Sequence, residues 1–372
     1  MAHTPGIDLK VYFGMLPDAD QQGVDFGVSF QWDVPLLDGY HWEVLVNNAK
    51  TPSLGTFAGI STPGIGRAIR AWRPTMAVVT GWQSRMLIQA FWACRRLRMP
   101  LLARGDSNAL APRSRWKKAL HRLWLRQFNG FLAVGDANCR FYLQAGVHPR
   151  RIFYCPHFVD NERFCQLANV YSEEQLTLRR QWGIPPKSIC FLYAGKLVPK
   201  KRIFDLLKAL DIAKSQHPGL HLLIAGAGEL ETQARGICGH SQSSNKFCGI
   251  PLNQTEIAKA YAVADCLVLP SDYGETWGLV VNVAMACGLP AVISDRVGCG
   301  PDLVKEGITG KNFPFGDIDA LAASLVMLAS DPGHLQQMGK NARELIFRDY
   351  SVEKAVEGTL AAVKATLSVG QH

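Results

Sequence analysis

The sequence has no long apolar run and no start that resembles a targeting segment. Its most apolar stretch, Ala77–Cys94, is interrupted by Gly81, Gln83, Ser84 and Arg85. It therefore does not supply the roughly 18 or more uninterrupted apolar residues of a membrane-spanning helix. The first residues, MAHTPGIDLK, show no basic start followed by an apolar core. We therefore expect no secretory signal peptide.

The sequence also lacks the paired cysteine spacing of a zinc site or of a disulfide framework. Its ten cysteines are spread singly, and Cys190 and Cys266 lie inside apolar runs, where we expect small buried hydrophobic residues. Cys238, His240 and Cys248 are close in the sequence, but no fourth ligand has zinc-like spacing, so we expect no metal site. Unpaired thiols are typical of a reducing compartment, which indicates the cytoplasm.

The chain is long, and its apolar residues are spread evenly along it. Both features indicate a folded protein of more than one domain. Its 372 residues exceed what a single hydrophobic core usually organises, and 48% of them are apolar. Strand-like runs alternate with helical patterns, as in parallel sheets built from β-α units. We therefore predict an α/β fold with two doubly wound, Rossmann-like domains, in which ligands lie beyond the carboxyl ends of the strands.

The predicted elements form two sets, separated by a charged stretch at Glu162–Gln181 that we interpret as a connector. The predicted strands are Leu9–Phe13, Trp42–Val46, Met76–Val79, Pro100–Ala103, Gly130–Val134, Cys190–Ala194, Leu220–Ala225, Asn245–Cys248, Cys266–Leu269 and Ala291–Ser294. The predicted helices are Ser84–Leu97, Trp116–Gln127, Phe204–Lys214, Glu229–Arg235, Asn253–Val263, Leu279–Cys287 and Ser351–Leu367. Residues 18–40 are polar and glycine-rich, and we predict a long loop there.

The formal charge is +9, and basic residues cluster in Arg113–Arg126, RSRWKKALHRLWLR. As a helix, this segment places Trp116, Leu120 and Leu123 on one face, beside a row of basic side chains. One interpretation is an ordinary surface helix that packs through its tryptophan and leucines. The other is contact with an anionic membrane or with a lipid-pyrophosphate acceptor. We expect no nucleic-acid partner, because no recognisable binding module accompanies the charge.

The first segment with recognisable chemistry reads GKLVPKK from Gly195 and follows a predicted strand. Lys196 and Lys201 place two cations between the end of that strand and the start of a helix. Fixed cations stabilise a diphosphate leaving group, because the group gains negative charge as it departs. A basic loop by itself is more often part of the solvated surface. The functional interpretation of this segment therefore depends on the two segments that follow.

The second segment is GAG at Gly226–Gly228, directly after the predicted strand Leu220–Ala225. Glycine at such a turn permits close approach of the backbone to a nucleotide at the start of a helix. The segment lacks the third glycine and the later acidic residue of a dinucleotide-binding fingerprint. It is therefore weak evidence by itself.

The third segment, PSDYGETWGL from Pro270, carries Glu275 in a glycine-punctuated loop ahead of the predicted helix Leu279–Cys287. A loop of this kind aims backbone N–H groups and a helix N-terminus at an anionic ligand. Together the three segments resemble the donor-sugar motifs of family 4 (group 1) retaining glycosyltransferases, which have the GT-B fold with a cleft between two domains. The resemblance implies three catalytic residues: Lys196 and Lys201 contact the pyrophosphate, and Glu275 lies near the transferred sugar.

The resemblance also implies a set of donor contacts, several of them made by the backbone. The donor-binding candidates are Gly195, Gly226, Gly228, Thr276, Trp277, Gly278, Leu279, Val283 and Asn108. Asn108 lies in the loop where many relatives carry a histidine that contacts the donor sugar. Asn can still donate and accept hydrogen bonds at that position.

Val283 is the one departure from the motif with a clear chemical cost. The family has a second glutamate there, which accepts hydrogen bonds from the ribose hydroxyls, and valine accepts none. Losing a charge-assisted hydrogen bond typically costs about 1.5–3 kcal/mol. The neighbouring Asn282 points about 100° away on a helix, so we expect no compensation.

The resemblance further implies a division into three parts. Residues 1–165 form an N-terminal, acceptor-side Rossmann-like domain, residues 166–350 a nucleotide-sugar donor domain, and residues 351–372 a helix that crosses back to the first domain. The first predicted strand follows only eight residues, so we infer that the first β-α unit is missing. The alternative is a family with a shorter N-terminus.

The implied function is transfer of a sugar, with retention, from a UDP or GDP sugar to a glycan or lipid-linked acceptor. The setting is cell-surface polysaccharide or glycolipid biosynthesis in the cytoplasm, with peripheral contact at the inner membrane face through Arg113–Arg126. No metal and no cofactor besides the nucleotide sugar is implied. A catalytically impaired relative that binds a glycan or a partner stays open, because of Val283. A sugar-nucleotide epimerase also stays open, although the Glu275 segment fits a transferase better.

Overall fold

The computed structural model describes residues 1–24, 26–27, 29–240, 245–247 and 253–369. Over these residues the chain is an α/β protein in which every strand pair is parallel. It divides into two compact units. Unit 1 comprises Met1–Gln22, Val34–Cys155 and Glu353–His372, and unit 2 comprises Gly23–Asp33 and Pro156–Val352. The predicted α/β class is confirmed.

Unit 1 contains two separate parallel sheets. Its strands are β1 (Lys10–Phe13), β2 (His41–Val44), β3 (Ala77–Val79), β4 (Leu101–Gly105), β5 (Gly130–Ala133) and β6 (Ile152–Tyr154). Its helices are α1 (Ala19–Gly23), α2 (Ile65–Trp72), α3 (Arg85–Arg96), α4 (Arg115–Leu125), α5 (Asp136–Gln144) and, at the end of the chain, α15 (Val352–Val369). Strand β1 pairs with β2, and the four others form a sheet in the order β3-β4-β5-β6.

Both faces of the four-stranded sheet of unit 1 are covered, because successive apolar residues of its central strands, Leu101–Ala103 and Phe131–Ala133, are buried on alternate sides. Leu101 and Phe131 point into a core shared with α3 and α4. Leu102 and Leu132 point the other way and pack against α15. Helix α15 lies directly on the backbone of β6, since a Cβ added to Gly358 would overlap the carbonyl oxygen of Tyr154.

Unit 2 contains one six-stranded sheet. Its strands are β7 (Ile189–Ala194), β8 (Leu220–Ala225), β9 (Asn245–Phe247), β10 (Cys266–Leu269), β11 (Ala291–Ser294) and β12 (Gly310–Phe313). Its helices are α6 (Asn161–Glu173), α7 (Gln175–Gln181), α8 (Ile203–Gln216), α9 (Glu231–His240), α10 (Gln254–Val263), α11 (Leu279–Ala286), α12 (Gly300–Leu303), α13 (Ile318–Ser330) and α14 (Pro332–Asp349). The strand order is β12-β11-β10-β7-β8-β9. This is the doubly wound order, in which the chain reverses direction across the sheet between β7 and β10.

Most predicted elements lie within two residues of an observed one, because apolar runs of four to six residues bounded by glycine and proline are strong strand signals. Cys190 and Cys266 are fully buried, as predicted. Cys248, at the end of one predicted strand, lies outside the described residues.

The stretch Glu162–Gln181, predicted as a connector, forms α6 and α7 and groups with unit 2. Arg179, one of the charged residues of this stretch, is buried. Its guanidinium donates hydrogen bonds to the carbonyl oxygen of Val263 at 2.7 and 2.9 Å and pairs with Asp265 at 2.9 Å. The arginine therefore holds α7 against the end of the sheet. The charge pattern of the sequence does not predict this contact.

The interpretation of Arg113–Arg126 as a helix packed through Trp116, Leu120 and Leu123 is also wrong. Helix α4 forms there, but it packs through Leu125, which is buried, and Trp124, whose ring centroid lies 4.2 Å from that of Phe91. The stripe of Trp116, Leu120 and Leu123 remains 61%, 56% and 61% exposed.

The compact units divide after Cys155 and after Val352, whereas the sequence places the boundaries after residues 165 and 350. The segment Gly23–Asp33, predicted as a loop of the first domain, groups with unit 2. It is fixed by Asp33, whose carboxylate accepts hydrogen bonds from the backbone N–H groups of Gln254 and Thr255 at 2.9 and 3.0 Å. Both N–H groups belong to the first turn of α10, where a carboxylate is favoured.

Candidate functional site

The three sequence segments singled out above lie side by side at one edge of the sheet in unit 2. Gly226 follows β8, Gly195 follows β7 and Pro270 follows β10. These strands are parallel neighbours, so their carboxyl ends meet at the same edge. The loops after β7 and β10 flank the position at which the strand order reverses. Ligands of doubly wound sheets bind in the crevice at that position.

The Gly-x-Gly turn after β8 packs directly on the loop after β7. The backbone N–H of Leu197 donates to the carbonyl oxygen of Ala227 at 2.7 Å. A Cβ added to Gly226 would overlap the carbonyl oxygen of Gly195. Gly228 has a φ of +149°, and a Cβ there would lie 2.6 Å from the carbonyl oxygen of Leu197. Both glycines are therefore required for close packing of two loops, which fixes the backbone around Lys196.

Lys201 and Glu275 form an ion pair that links the loop after β7 to the loop after β10. The two residues are 74 positions apart, and their side chains are only 10% and 14% exposed. Lys201 ends the 3-10 turn Pro199–Lys201, which places its ammonium group beneath Gly195, 3.8 Å from where a Cβ would be. The structure thus brings together two of the three catalytic candidates at the edge where the strand order reverses.

Lys196, the third candidate, is partly exposed and lies one residue beyond Gly195. Its ammonium group is 5.2 Å from the centroid of the Phe26 ring, in the Gly23–Asp33 segment of the same unit. The hydroxyl of Tyr193 donates to the carbonyl oxygen of Lys196 at 2.7 Å. Burial raises the pKa of Tyr193, so the hydroxyl keeps the proton that this hydrogen bond needs. A buried tyrosine therefore holds the backbone of the lysine in place.

The Glu275 loop turns sharply into α11. Gly278 has a φ of +104° and precedes the helix, a conformation that favours glycine. The backbone carbonyl oxygens of Glu275 and Trp277 accept hydrogen bonds from Gly298 at 3.0 Å and Cys299 at 2.9 Å. These bonds turn the carbonyl groups toward the protein. Helix α11 begins at Leu279 directly after this loop, and the N-terminus of a helix favours an anion.

Trp277 and Asn282 form a buried pair that the sequence does not reveal. The indole N–H of Trp277 donates to Asn282 Oδ1 at 2.8 Å, and Asn282 Nδ2 donates to the carbonyl oxygen of His157 at 3.1 Å. The rings of Trp277 and His157 lie 5.4 Å apart. Asn282 is 0% exposed. Its neighbour Val283 is half-buried and has no polar side-chain atom.

The remaining candidates divide between the units. Thr276 lies in the Glu275 loop of unit 2, whereas Asn108 lies in unit 1, in the turn after β4. Asn108 is buried, and its Oδ1 accepts hydrogen bonds from the backbone N–H groups of Leu110 at 3.1 Å and Ala111 at 3.4 Å. Its carboxamide oxygen therefore shapes the turn.

Among the described residues no three His, Cys, Asp or Glu side chains gather in a way that would hold a metal ion. Cys238 is buried in the core of unit 2. Cys248 and the side chain of His240 lie outside the described part of the chain. Within that same part, no helix is long and apolar enough to cross a lipid bilayer.

The sequence over this site matches a known family. Residues 174–345, just under half of the chain, match the family model described as Glycosyl transferases group 1. An uncharacterized glycosyltransferase of Methanocaldococcus jannaschii is 28% identical over 203 residues, which cover 54% of this chain and 51% of that protein. A GDP-mannose-dependent monoacylated alpha-(1-6)-phosphatidylinositol monomannoside mannosyltransferase of Corynebacterium glutamicum is 29% identical over 220 residues, 58% of this chain and 56% of that protein. The chain thus spans about half the length of the curated relatives it matches.

Comparison with solved structures extends the similarity to both units. The Anabaena protein Alr3699/HepE, solved in complex with UDP-glucose, aligns with a TM-score of 0.65 over 98% of this chain and 100% of that chain, at 18% identity. The solved neighbours are GT-B glycosyltransferases, and the parallel sheets of both units agree with them. Residues 174–345 are therefore similar to group 1 glycosyltransferases, and the chain has the GT-B fold.

Proposed function

We propose that the protein is a retaining glycosyltransferase of the family 4 type that uses a nucleotide-diphosphate sugar. The observation that carries this proposal is the buried ion pair between Lys201 and Glu275. It joins the two loops that flank the reversal point of the unit 2 sheet. A cation and a carboxylate held together there are suited to a diphosphate and to the sugar that it carries.

The chemistry follows from where charge develops. As the bond between the sugar carbon and the diphosphate oxygen breaks, negative charge grows on the leaving phosphate. Lys196, Lys201 and the first-turn N–H groups of α11 stabilise that charge more in the transition state than in the ground state. These groups hold the diphosphate without a metal ion.

Retention requires the acceptor oxygen to attack from the face that the phosphate leaves. In the proposed step the new bond forms between acceptor oxygen and sugar carbon, and a leaving phosphate oxygen takes the acceptor proton. No protein nucleophile is needed. Glu275 exchanges its contact with Lys201 for the hydroxyl groups of the sugar when the diphosphate arrives to pair with the lysine.

The donor is a UDP or GDP sugar, and the acceptor is a glycan or a lipid-linked sugar. Relatives and structural neighbours include a GDP-mannose-dependent enzyme and a protein solved with UDP-glucose. We place the reaction in the cytoplasm, in the assembly of a cell-surface polysaccharide or glycolipid. Domain roles follow the same proposal: unit 2 holds the donor, and unit 1 serves the acceptor.

A second candidate function is donor-independent binding of a glycan or partner by a catalytically impaired relative. Val283 favours it, because the ribose hydroxyls have no acceptor there, and Asn282 is engaged with Trp277 and His157. The two functions differ in whether the unit 2 site binds a nucleoside diphosphate.

Isothermal titration calorimetry with UDP and with GDP tests the proposal. We expect saturable heat with one of the two nucleotides, and its loss in Lys201→Met. The matched control is Lys208→Met, on the exposed side of α8, which should leave the heat unchanged. No saturable heat with either nucleotide in a folded protein would overturn the proposal and favour the binding function.

A further inference from the structure

The positive charge of the chain lies in unit 1. Unit 1 contains 21 Lys and Arg against 9 Asp and Glu, a net charge of +12, whereas unit 2 contains 19 against 22, a net charge of −3. The imbalance is steepest between residues 44 and 135, where 15 basic residues accompany a single acidic residue, Asp106. A field of one sign over part of a surface attracts a partner of the opposite sign.

Helix α4 presents five of these basic residues to solvent. Arg115, Lys117, Lys118, Arg122 and Arg126 are all exposed. Over the part of the chain that the structure describes, none of the five forms an ion pair with a carboxylate. Their charge is therefore available to an external anion.

The same helix presents an apolar stripe that its packing keeps turned outward. Trp116, Leu120 and Leu123 recur at the i, i+4 and i+7 positions of one helix face, and each is more than half exposed. Leu125, about 180° from Trp116 on the helix circumference, is buried in the core, and Trp124, about 80° from Trp116, packs against that core. Rotating the stripe inward would require removing both from that core.

The arrangement of the two groups follows from 100° of rotation per residue. Leu120 and Leu123 lie within about 40° of Trp116 on the helix circumference. Arg122, Arg115 and Arg126 follow on one flank, and Lys117 lies on the other flank, beyond Trp124. Lys118 lies on the far side of the helix, close to the direction of Leu125. The outward face therefore has an apolar centre bordered by cations on both sides, which is the pattern of a helix that lies in a membrane interface.

We propose that unit 1 docks on an anionic lipid bilayer through α4, with Trp116, Leu120 and Leu123 entering the acyl boundary. The flanking Arg and Lys side chains meet lipid phosphates. Tryptophan favours this level of the bilayer, because its ring is largely apolar and its N–H remains hydrated. The proposal is independent of sugar transfer, since vesicle binding and nucleotide binding are measured separately.

The apolar centre argues for lipid over the other anionic partner, nucleic acid. A phosphate backbone is held by cations at the middle of the contact, whereas here the middle is leucine and tryptophan. A second copy of unit 1 is disfavoured as well. Two α4 faces in contact would bring the flanking cations of each copy together without an intervening carboxylate.

Vesicle co-sedimentation of the full chain at low salt tests the proposal, with phosphatidylcholine vesicles and an equal mixture of phosphatidylcholine and phosphatidylglycerol. We expect binding to the mixed vesicles only, weakened by added salt. Changing Arg115, Lys117, Arg122 and Arg126 to Gln should lower the partition coefficient about fivefold per cation removed. The matched control changes Lys187, Lys208 and Lys340 to Gln, exposed positions of unit 2, and should leave binding unchanged.

Insertion is tested separately from charge. Changing Trp116, Leu120 and Leu123 to Ser should weaken vesicle binding at least about tenfold. Brominated lipid should quench tryptophan fluorescence in the wild type and quench it less in Trp116→Phe. All variants should keep the wild-type melting temperature, because the changed side chains are exposed.

Three outcomes would overturn the proposal. One is equal binding to neutral and anionic vesicles. Another is no loss of binding in both the Gln and the Ser variants. The third is a dimer in light scattering that dissociates in the Ser variant, which would assign the face to a second copy of the chain.

Discussion

The two halves of the candidate donor site differ in what their polar groups contact. On the phosphate side, Lys201 and Glu275 form an ion pair between separate loops. Gly226 allows the turn after β8 to pack closely against the carbonyl oxygen of Gly195. On the ribose side, the amide of Asn282 is engaged in the core with Trp277, and Val283 presents only methyl groups. Under the proposed function, the difference is that the phosphate side keeps its charged groups, whereas Val283 on α11 offers the ribose no hydrogen-bond acceptor.

Removing the charge on the phosphate side should give the largest effect. In Lys201→Met we expect donor turnover to fall by about 100- to 1000-fold, because a charge aimed at the leaving group is lost. Glu275 is also left buried without its partner, so the melting temperature should fall. Initial rates of nucleotide-sugar hydrolysis or transfer and a thermal melt measure the two effects.

The double variant Lys201→Met with Glu275→Gln separates these effects. It should recover part of the stability, since no buried charge remains unpaired, without recovering turnover. Lys200→Met is the matched control, because Lys200 is exposed and only reaches the carbonyl oxygen of Gly274 at 3.4 Å. Full turnover in Lys201→Met would remove the distinction between the two halves.

Restoring a carboxylate on the ribose side should give the next largest effect, in the opposite direction. In Val283→Glu we expect donor affinity to rise roughly tenfold to a hundredfold. The reason is that a charge-assisted hydrogen bond from the ribose to the new carboxylate contributes about 1.5–3 kcal/mol to the binding free energy. Calorimetric titration measures it. Val283→Gln is the matched control and should give a smaller gain, because a neutral amide accepts a weaker hydrogen bond than a carboxylate.

The gain must depend on the ribose itself. Titration of Val283→Glu with a 2′,3′-dideoxy nucleotide should return the affinity to the wild-type value. An unchanged affinity for the ordinary nucleotide would show that α11 does not face the ribose, and the account of the ribose side would fail.

Adding a methyl group under the phosphate loop should give the smallest effect. In Gly226→Ala the new Cβ would overlap the carbonyl oxygen of Gly195, so the loop must move. We expect a loss of about 1–3 kcal/mol in the free energy of unfolding and weaker nucleotide binding, measured by denaturant titration and calorimetry.

Gly236→Ala in α9 is the matched control. A Cβ there meets nothing within 4 Å, and alanine favours a helix over glycine by up to about 1 kcal/mol. Its stability should stay equal or rise. A Gly226→Ala protein as stable as this control would show that the turn tolerates a side chain and that loop packing does not require the glycine.

The sequence predicts the strands of unit 2 well and the contacts around the site only in part. Local apolar patterns determine β8 and β10, so their bounds agree with the structure. The proximity of Lys201 and Glu275 follows only from the family resemblance, because nothing local relates residues 74 positions apart. The Trp277–Asn282 pair has no signal in the sequence. It depends on how a loop folds over the start of a helix.

Burial is harder to predict than helix formation. The pattern of Arg113–Arg126 predicts α4 correctly, yet it does not tell which of two apolar sides, Trp116 with Leu120 or Trp124 with Leu125, faces the core. The position of Phe91 on the neighbouring helix decides this. Arg179, in the stretch Glu162–Gln181, is a related case, since a buried guanidinium is as polar in the sequence as an exposed one.

The place of α15 in unit 1 has a consequence for the order in which the protein is made. A ribosome synthesises this helix after all of unit 2, so Leu102 and Leu132 stay uncovered until α15 emerges. Domains usually fold in the order of synthesis, but here the unit that begins first is completed last. A nascent chain stalled before Glu353 would contain a complete unit 2, whereas the apolar face of the unit 1 sheet that α15 covers would be exposed. Chaperones bind apolar surfaces of this kind.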